Sequence, residues 1–264
     1  MIAFMTIATG GPKYTKFLAP LVRSIKQFMP ENDILIFHDS VPFDAPGVEC
    51  TMIFQPDLGW PRATLMRYHA ILKQKERLLK FSHVFYLDVD MLVNSSITAE
   101  EICADGMTVV QHPGYPETFE RNPKSTAFVK EDDTVHSYYQ GCFVGGRTDY
   151  FIRFCETITK NIDIDDRNGI VAIYHDESQM NRYMIDNPPA KILSPAYCFP
   201  GPAHIRFPER WHMPHPSKFV AKIRHLEKMD QGEWKHNDTK VSEKPAERPI
   251  PHIPGSVRVT YGNR

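Results

Sequence analysis

Short apolar runs and helical stripes alternate through the first hundred residues, the pattern of strands and helices taken in turn. Ile2 to Ala8 reads as a strand, and the glycine loop Thr9 to Lys13 (TGGPK) leads into a helix with apolar positions Phe17, Leu18, Leu21, Val22, Ile25 and Phe28. Pro20 inside that stretch predicts a kink or a late start. Ile34 to Phe37 and Thr51 to Phe54 are two further short strands, the first closed by His38, Asp39 and Ser40. Gly59, Trp60 and Pro61 precede a predicted long helix, about Ala63 to Lys80, striped by Leu65, Tyr68, Leu72 and Leu79. Arg67 lies off that stripe, where a solvated surface arginine is the ordinary outcome. The alternation predicts an α/β fold with a mostly parallel sheet flanked by helices and a Rossmann-like nucleotide-binding half. Ligands of such sheets sit beyond the carboxyl ends of the strands. Neither GxGxxG nor GxxxxGK[ST] is present, so the opening strand, glycine loop and helix are a weak nucleotide signal on their own.

The second half begins with a strand over Met107 to Gln111 and a polar, aromatic loop, HPGYPETFERN. Tyr138 to Gly146 (YYQGCFVGG) reads as a strand whose Gly141 marks a close approach by a ligand or another backbone. A helix over Asp149 to Ile162 is followed by DIDDRNG, Asp163 to Gly169. Arg167 stands at what would be the fifth position of a calcium loop and the glycine comes one residue late, so an acidic turn is expected. Ile170 to Tyr174 reads as a strand leading into HDESQMNRY. There Asp176 and Gln179 suit a capping pair, and Glu177 in the first turn suits the helix dipole. The text turns proline-rich after Leu193 and charged beyond Lys235, predicting one domain over 1–235 and a mobile tail over 236–264.

The run FYLDVDML, Phe85 to Leu92, is where the pattern acquires chemistry. Val84 to Leu87 has the look of a buried strand, and it stops at two carboxylates, Asp88 and Asp90, separated by Val89. In extended chain both acids face one side, a spacing that suits a divalent ion bridging protein to a diphosphate. An ordinary strand end with aspartate as turn former gives the same letters. Composition narrows the field: 264 residues, 42% hydrophobic, with a net charge of -1, offer no field for nucleic acid or an acidic membrane. Five widely spaced cysteines, Cys50, Cys103, Cys142, Cys155 and Cys198, fit free thiols better than a disulfide frame. The apolar start MIAFMTIATG has no basic leader, and no run approaches the ~18 residues of a membrane span, so the cytoplasm is the expected compartment.

FYLDVDML, HPGYPETFER, YYQGCFVGG, HDESQMNRY and ILSPAYCF resemble, in the same order, the signature segments of glycosyltransferase family six. The resemblance covers about Ile2 to Lys235. It implies a GT-A fold and a retaining transferase that moves galactose or N-acetylgalactosamine from a UDP donor to the 3-hydroxyl of a β-galactoside, plain or fucosylated. Asp88 and Asp90 match the family's DXD motif, which implies Mn²⁺, or another divalent ion such as Mg²⁺, held on the donor diphosphate with Val89 among the donor contacts. Glu177 matches the glutamate described as nucleophile or as stabiliser of an oxocarbenium-like transition state, and it also faces the acceptor. Asp176 matches a donor-sugar contact, Arg67 an arginine near the donor, and Ile7, Ala8, Thr9 and Tyr14 the uracil-binding stretch. Gln140, Gly141 and Cys142 occupy the positions that sort galactose from N-acetylgalactosamine. Cys142 is bulkier than the residue usual there, which favours UDP-galactose. His112 and Thr118 match acceptor contacts, and Lys228 a lysine of a C-terminal segment that closes over the diphosphate. Tyr174 replaces a tryptophan, and Pro200 stands where an acid is often found. Two other readings use the same letters: a haloacid-dehalogenase-like phosphatase with Asp88 as nucleophile, and a non-catalytic UDP-sugar or glycan-binding module.

Overall fold

A computed structural model of the chain describes residues 1–29, 31–39, 48–114, 119–135, 137–201 and 220–226, together with the backbone of 257–260. The first strand, β1 (Ile2–Ala8), has the bounds its apolar run predicts. It is followed by α1 (Pro12–Thr15) and α2 (Leu18–Phe28), whose buried positions include Leu18, Leu21, Val22 and Ile25. Pro20 falls in the first turn of α2, where its missing N–H breaks no helical bond, so the helix starts late rather than kinks. β2 (Asn32–His38) and β3 (Glu49–Phe54) extend the two short strands expected after it.

The expected long helix over 63–80 is instead three short ones: α3 (Arg62–Leu65), α4 (Arg67–Leu72) and α5 (Lys75–Leu78). Met66 (φ −95, ψ 12) and Gln74 (φ −100, ψ 16) break it, both in the sparsely allowed bridge region. Each break resets the helical phase. Leu78 is therefore buried and Leu79 half exposed, and Arg67 turns inward rather than to solvent.

β4 (His83–Leu87) is followed by β5 (Met91–Val93), α6 (Ala99–Ile102), β6 (Met107–Gln111) and β7 (Tyr139–Arg147). After these come α7 (Thr148–Arg167), α8 (His175–Asp186), β8 (Lys191–Leu193), β9 (Ile223–His225) and β10 (Val257–Thr260). The main sheet has the order β10-β3-β2-β1-β4-β7-β6-β8. β1 pairs parallel with β2 and β4, β2 with β3, and β6 with β8, whereas β7 runs against β4 and β6 and β10 against β3. The sheet is thus mostly parallel and α/β, as expected. Alternation sends Phe4 and Phe85 to a core shared with α2, and Met5 and Tyr86 to one shared with α4, α7 and α8. A Cβ on Gly145 would lie 2.3 Å from the Val84 carbonyl oxygen, so glycine there lets β7 close on β4.

Two further expectations are corrected. DIDDRNG is not an acidic turn, because α7 continues to Arg167. Asp165 is its one buried acid, accepting from Ser125 Oγ (2.7 Å), the Thr126 N–H (2.8 Å) and Gln179 Nε2 (3.0 Å). Ile170 to Tyr174 forms no strand. Val171 and Ile173 are exposed, and the Ile173 N–H donates to Glu120 Oε2 (2.7 Å) instead of to a sheet neighbour. Of the expected tail, β10 lies on β3, and the remainder is outside the described residues. No described helix is long and apolar enough to cross a membrane, and the cysteines are free.

Candidate functional site

The carboxyl ends of β1 and β4, the start of β7 and the first turn of α8 converge on one region. Asp88 follows β4, and its N–H donates to the Cys142 carbonyl (2.9 Å), which sets the QGC triplet beside it. Tyr86, two residues earlier and so on the same side of the chain, donates its hydroxyl to Asp88 Oδ1 (2.8 Å). Arg67 Nη1 donates to the same oxygen (3.2 Å) and to the Gly141 carbonyl (3.1 Å). Its guanidinium lies 4.6 Å from the centroid of the Tyr86 ring. Nε of Arg67 sits 2.8 Å from Asp176 Oδ2, an ion pair rather than an aligned hydrogen bond, with side chains 10% and 2% exposed. A guanidinium with several in-plane donors can serve two carboxylates and a carbonyl at once, which an ammonium on a flexible stem does less well.

The entry into α8 directs the next two acids. His175 has φ 51, a left-handed conformation uncommon for a side-chain-bearing residue, and the Trp60 ring meets it edge-on at 5.4 Å. This sharp entry points Asp176 at Arg67 and Glu177 at β7. Glu177 Oε1 accepts from the Tyr138 hydroxyl (2.9 Å) and Oε2 from the Gly141 N–H (2.7 Å). The expected capping pair of Asp176 and Gln179 does not form, because α8 has no side-chain cap. Gln179 is drawn instead to Asp165 and Thr126, while Ser178 Oγ accepts from the Tyr174 N–H. Gly141 meets the side chain of Glu177: an added Cβ would lie 3.4 Å from Oε2.

Burial pushes the Glu177 carboxyl up to about 7, against the pull of the Gly141 and Tyr138 hydrogen bonds. Asp176 rises to about 6, again through burial, although Arg67 opposes it. Burial works against the charge on Arg67, yet Asp176, Tyr86 and Asp88 outweigh it and its pKa moves up. Asp90 is buried, and its carbonyl accepts from the Leu226 N–H (2.6 Å), which anchors the segment after β9 to the acid motif. Among the described residues, the carboxylates Asp88, Asp90, Asp176 and Glu177 thus share a region with the guanidinium of Arg67 and the imidazole of His225. Excess negative charge of this kind suits a divalent cation. No group of three or more metal-ligating side chains occurs among the described residues, so a cation held by Asp88 and Asp90 would complete its shell with substrate oxygens and water.

The remaining expected contacts fall around this centre. Ile7 and Ala8 end β1 opposite Phe37 and His38 of β2, Thr9 follows them, and the Gly10 N–H donates to Asp39 Oδ2 (2.7 Å). Tyr14 on α1 packs over Gly10, where a Cβ would lie 3.2 Å from its ring. Val89 is buried between the two acids. Gln140 Nε2 lies 3.3 Å from His225 Nε2, and Cys142 is buried, its thiol pushed up by burial. His112 sets its ring edge-on to Tyr138 at 5.7 Å, and burial takes its pKa down to about 4, so it is neutral. Thr118 and Lys228 lie outside the described residues. Sequence reasoning passed over Tyr86, Tyr138 and His225. Alternation from Asp88 and from Gln140 would have found the two tyrosines, each two residues upstream, whereas nothing local marks His225.

Residues 51–213 match the profile described as Glycosyltransferase family 6. The chain is 30% identical over 203 residues to human globoside alpha-1,3-N-acetylgalactosaminyltransferase 1, covering 70% of this chain and 57% of that protein. It is 31% identical over 205 residues to histo-blood group ABO system transferase 1 of Rattus norvegicus, with the same two shares. It is 30% identical over 147 residues to the O-antigen biosynthesis glycosyltransferase WbnI of Escherichia coli, covering 53% of this chain and 62% of that protein. The chain thus spans a little over half the length of these relatives. The ordered signature segments, the profile match and these identities agree, and the chain belongs to glycosyltransferase family 6.

Proposed function

We propose that this chain is a retaining hexosyltransferase that moves galactose from UDP-galactose, or N-acetylgalactosamine from the corresponding donor, to the 3-hydroxyl of a β-galactoside in α linkage. The observation that carries this reading is the placement of Glu177, with both oxygens hydrogen-bonded, across Gly141 from the Arg67–Asp88 pair. The names of the relatives, alpha-1,3-N-acetylgalactosaminyltransferases and a blood-group transferase, support the same reaction class. Asp88 and Asp90 would hold the divalent ion, Mn²⁺ in the first instance. When bound, it supplies Lewis-acid neutralisation of the charge growing on the departing UDP.

The protein's own groups carry the rest. Ile7 and Ala8 at the end of β1, Thr9 after it and Tyr14 on α1 bind the uracil. Arg67 and Tyr86 fix one oxygen of Asp88, so that carboxylate keeps one orientation as the donor enters. Asp176, itself held by Arg67, contacts the donor hexose. Glu177 faces the sugar carbon whose bond to UDP breaks and sets its negative charge against the positive charge that develops there, in a covalent or an ion-pair course alike. Ionised Glu177 is the competent form. His112, neutral, presents an imidazole to the acceptor. Buried Cys142 leaves little space for an acetamido group beside Gly141, which favours galactose.

The test is release of UDP from UDP-galactose and UDP-N-acetylgalactosamine, with Mn²⁺ or with a chelator, over a panel of β-galactosides. Metal-stimulated UDP release with an α-1,3 product supports the reading. Phosphate release in its place makes the protein a phosphatase, and binding without turnover makes it a UDP-sugar module.

A further inference from the structure

The hydroxyl of Tyr138, the residue before β7, donates to Glu177 Oε1 at 2.9 Å. A buried tyrosine is commonly a core filler whose hydroxyl finds whatever acceptor is near. The surroundings of this one point elsewhere. The ring packs edge-on against Phe119 (5.2 Å) and His112 (5.7 Å) in a small cluster with Val129, apart from the two large cores. That cluster belongs to a loop stapled in place by two buried acids. Glu120 accepts from the Asn122 N–H through Oε1 (2.7 Å) and from the Ile173 N–H through Oε2 (2.7 Å), tying the loop to the segment that enters α8. Asp165 ties Ser125 and Thr126 of the same loop to α7 and, through Gln179, to α8. The ring is thus packed between this loop and the helix that carries Glu177.

We infer that Tyr138 is a positioning residue for the transfer reaction: its hydroxyl, acting with the Gly141 N–H on the opposite oxygen, fixes the plane of the Glu177 carboxylate and favours its ionised form. The inference rests on the transferase reading for its catalytic consequence, though not for the contact itself. Among the described residues, the groups that act on Glu177 are Tyr138 and the Gly141 N–H from the β7 side, Arg67 from α4 and Asp176 on its own helix. Gly141 and Tyr138 donate directly, whereas Arg67 is engaged by Asp88 and Asp176. Loss of the hydroxyl leaves Oε1 without its donor and makes the ionised carboxylate harder to sustain.

The variant Tyr138→Phe keeps the ring and its packing and removes only the oxygen. In metal-free protein with ¹³C-labelled glutamate, the Glu177 carboxyl of the variant should titrate about one pH unit higher than in the wild type. In turnover with UDP-galactose and Mn²⁺, kcat at neutral pH should fall about tenfold or more, with KM for the donor within about twofold and part of the loss recovered as pH rises. Combined with Glu177→Gln, Tyr138→Phe should cost nothing further, because both changes act through one carboxylate. Coincident titration curves in the two proteins, or a loss that multiplies in the double variant, would overturn the inference. A wild type that releases no UDP from any donor sinks the transferase reading instead, and the NMR titration still decides whether Tyr138 governs Glu177. If thermal melting shows Tyr138→Phe to be unfolded, Phe119→Leu serves as the second variant. It loosens the ring without touching the hydroxyl, and its Glu177 titration should move in the same direction by less; no movement would again overturn the inference.

Discussion

Arg67 and Asp176 form a buried ion pair, Nε to Oδ2 at 2.8 Å, that joins the start of α4 to the first turn of α8. Because Arg67 also holds Asp88, one guanidinium fixes the distance between the acid that follows the central strand and the acids of the helix. Removing one partner of a buried pair leaves the other charge unsatisfied, which costs on the order of 3 kcal/mol. Arg67→Met should therefore lower stability by about that amount in urea unfolding. Adding Asp176→Asn should restore part of it, since the orphaned charge is then gone. Additive losses in the double variant would mean that the two residues do not depend on each other.

Asp90 tests the metal. Asp90→Asn removes charge and keeps volume at a buried position, so the melting temperature should stay within a few degrees of the wild type. Binding of Mn²⁺, read by the electron paramagnetic resonance of the free ion, should weaken at least about tenfold with loss of one of two carboxylate ligands. Metal-stimulated turnover should disappear with it. Undiminished Mn²⁺ binding by the variant would place the ion elsewhere.

Cys142 tests donor choice. Its side chain is buried and its thiol meets His225 of β9, whose imidazole feels Asp90 and Asp88. Cys142→Gly should raise the turnover of UDP-N-acetylgalactosamine relative to UDP-galactose, by opening space for the acetamido group. It should also cost about 1 kcal/mol of stability from the lost packing. An unchanged donor ratio would remove the steric argument and leave Gln140, with its His225 partner, as the residue to change next.

The parts of the fold visible in the sequence are those where local pattern and tertiary fate coincide. β1 and the central strand β4 are apolar runs buried on both faces of a parallel block, and both are where the runs predict. The acids that follow β4, and Glu177 with Asp176, stand out in the letters, and Arg67 and Gly141 join them into one region. Arg67 was invisible as an inward residue because the helix it sits on breaks at Met66, and periodicity has no term for a change of phase. The acidic end of α7 misled in the opposite direction. Asp163, Asp165 and Asp166 look like a turn, but Asp165 is satisfied by a loop some forty residues upstream, a contact with no local trace. Tyr138 and Glu120 belong to the same class, since their partners on and before α8 are remote in sequence.

Glu177 offers a measurement that needs neither donor nor metal. Burial disfavours the charged form and pushes its carboxyl up to about 7 in the fold, from 4.5 for an ordinary glutamate. Between those two values the folded protein binds more protons at this position than the unfolded chain does. Stability must then fall as pH rises through that window, by linkage. The contribution is fully present below about pH 4.5, is lost through about pH 7, and amounts to roughly 2 kcal/mol, allowing for the partial exposure of the side chain. Other groups titrate over the same range, so the quantity to read is the difference between wild type and Glu177→Gln in urea midpoint at each pH. The variant has nothing to ionise at this position, and the difference should grow in its favour from acid to neutral pH. In turnover the order reverses: Glu177→Gln should lose activity by orders of magnitude while UDP affinity changes little. A variant that is more stable at neutral pH and nearly inactive is the signature of a carboxylate kept buried for chemistry at a cost in stability. Equal losses of turnover and UDP affinity would instead make Glu177 a binding residue.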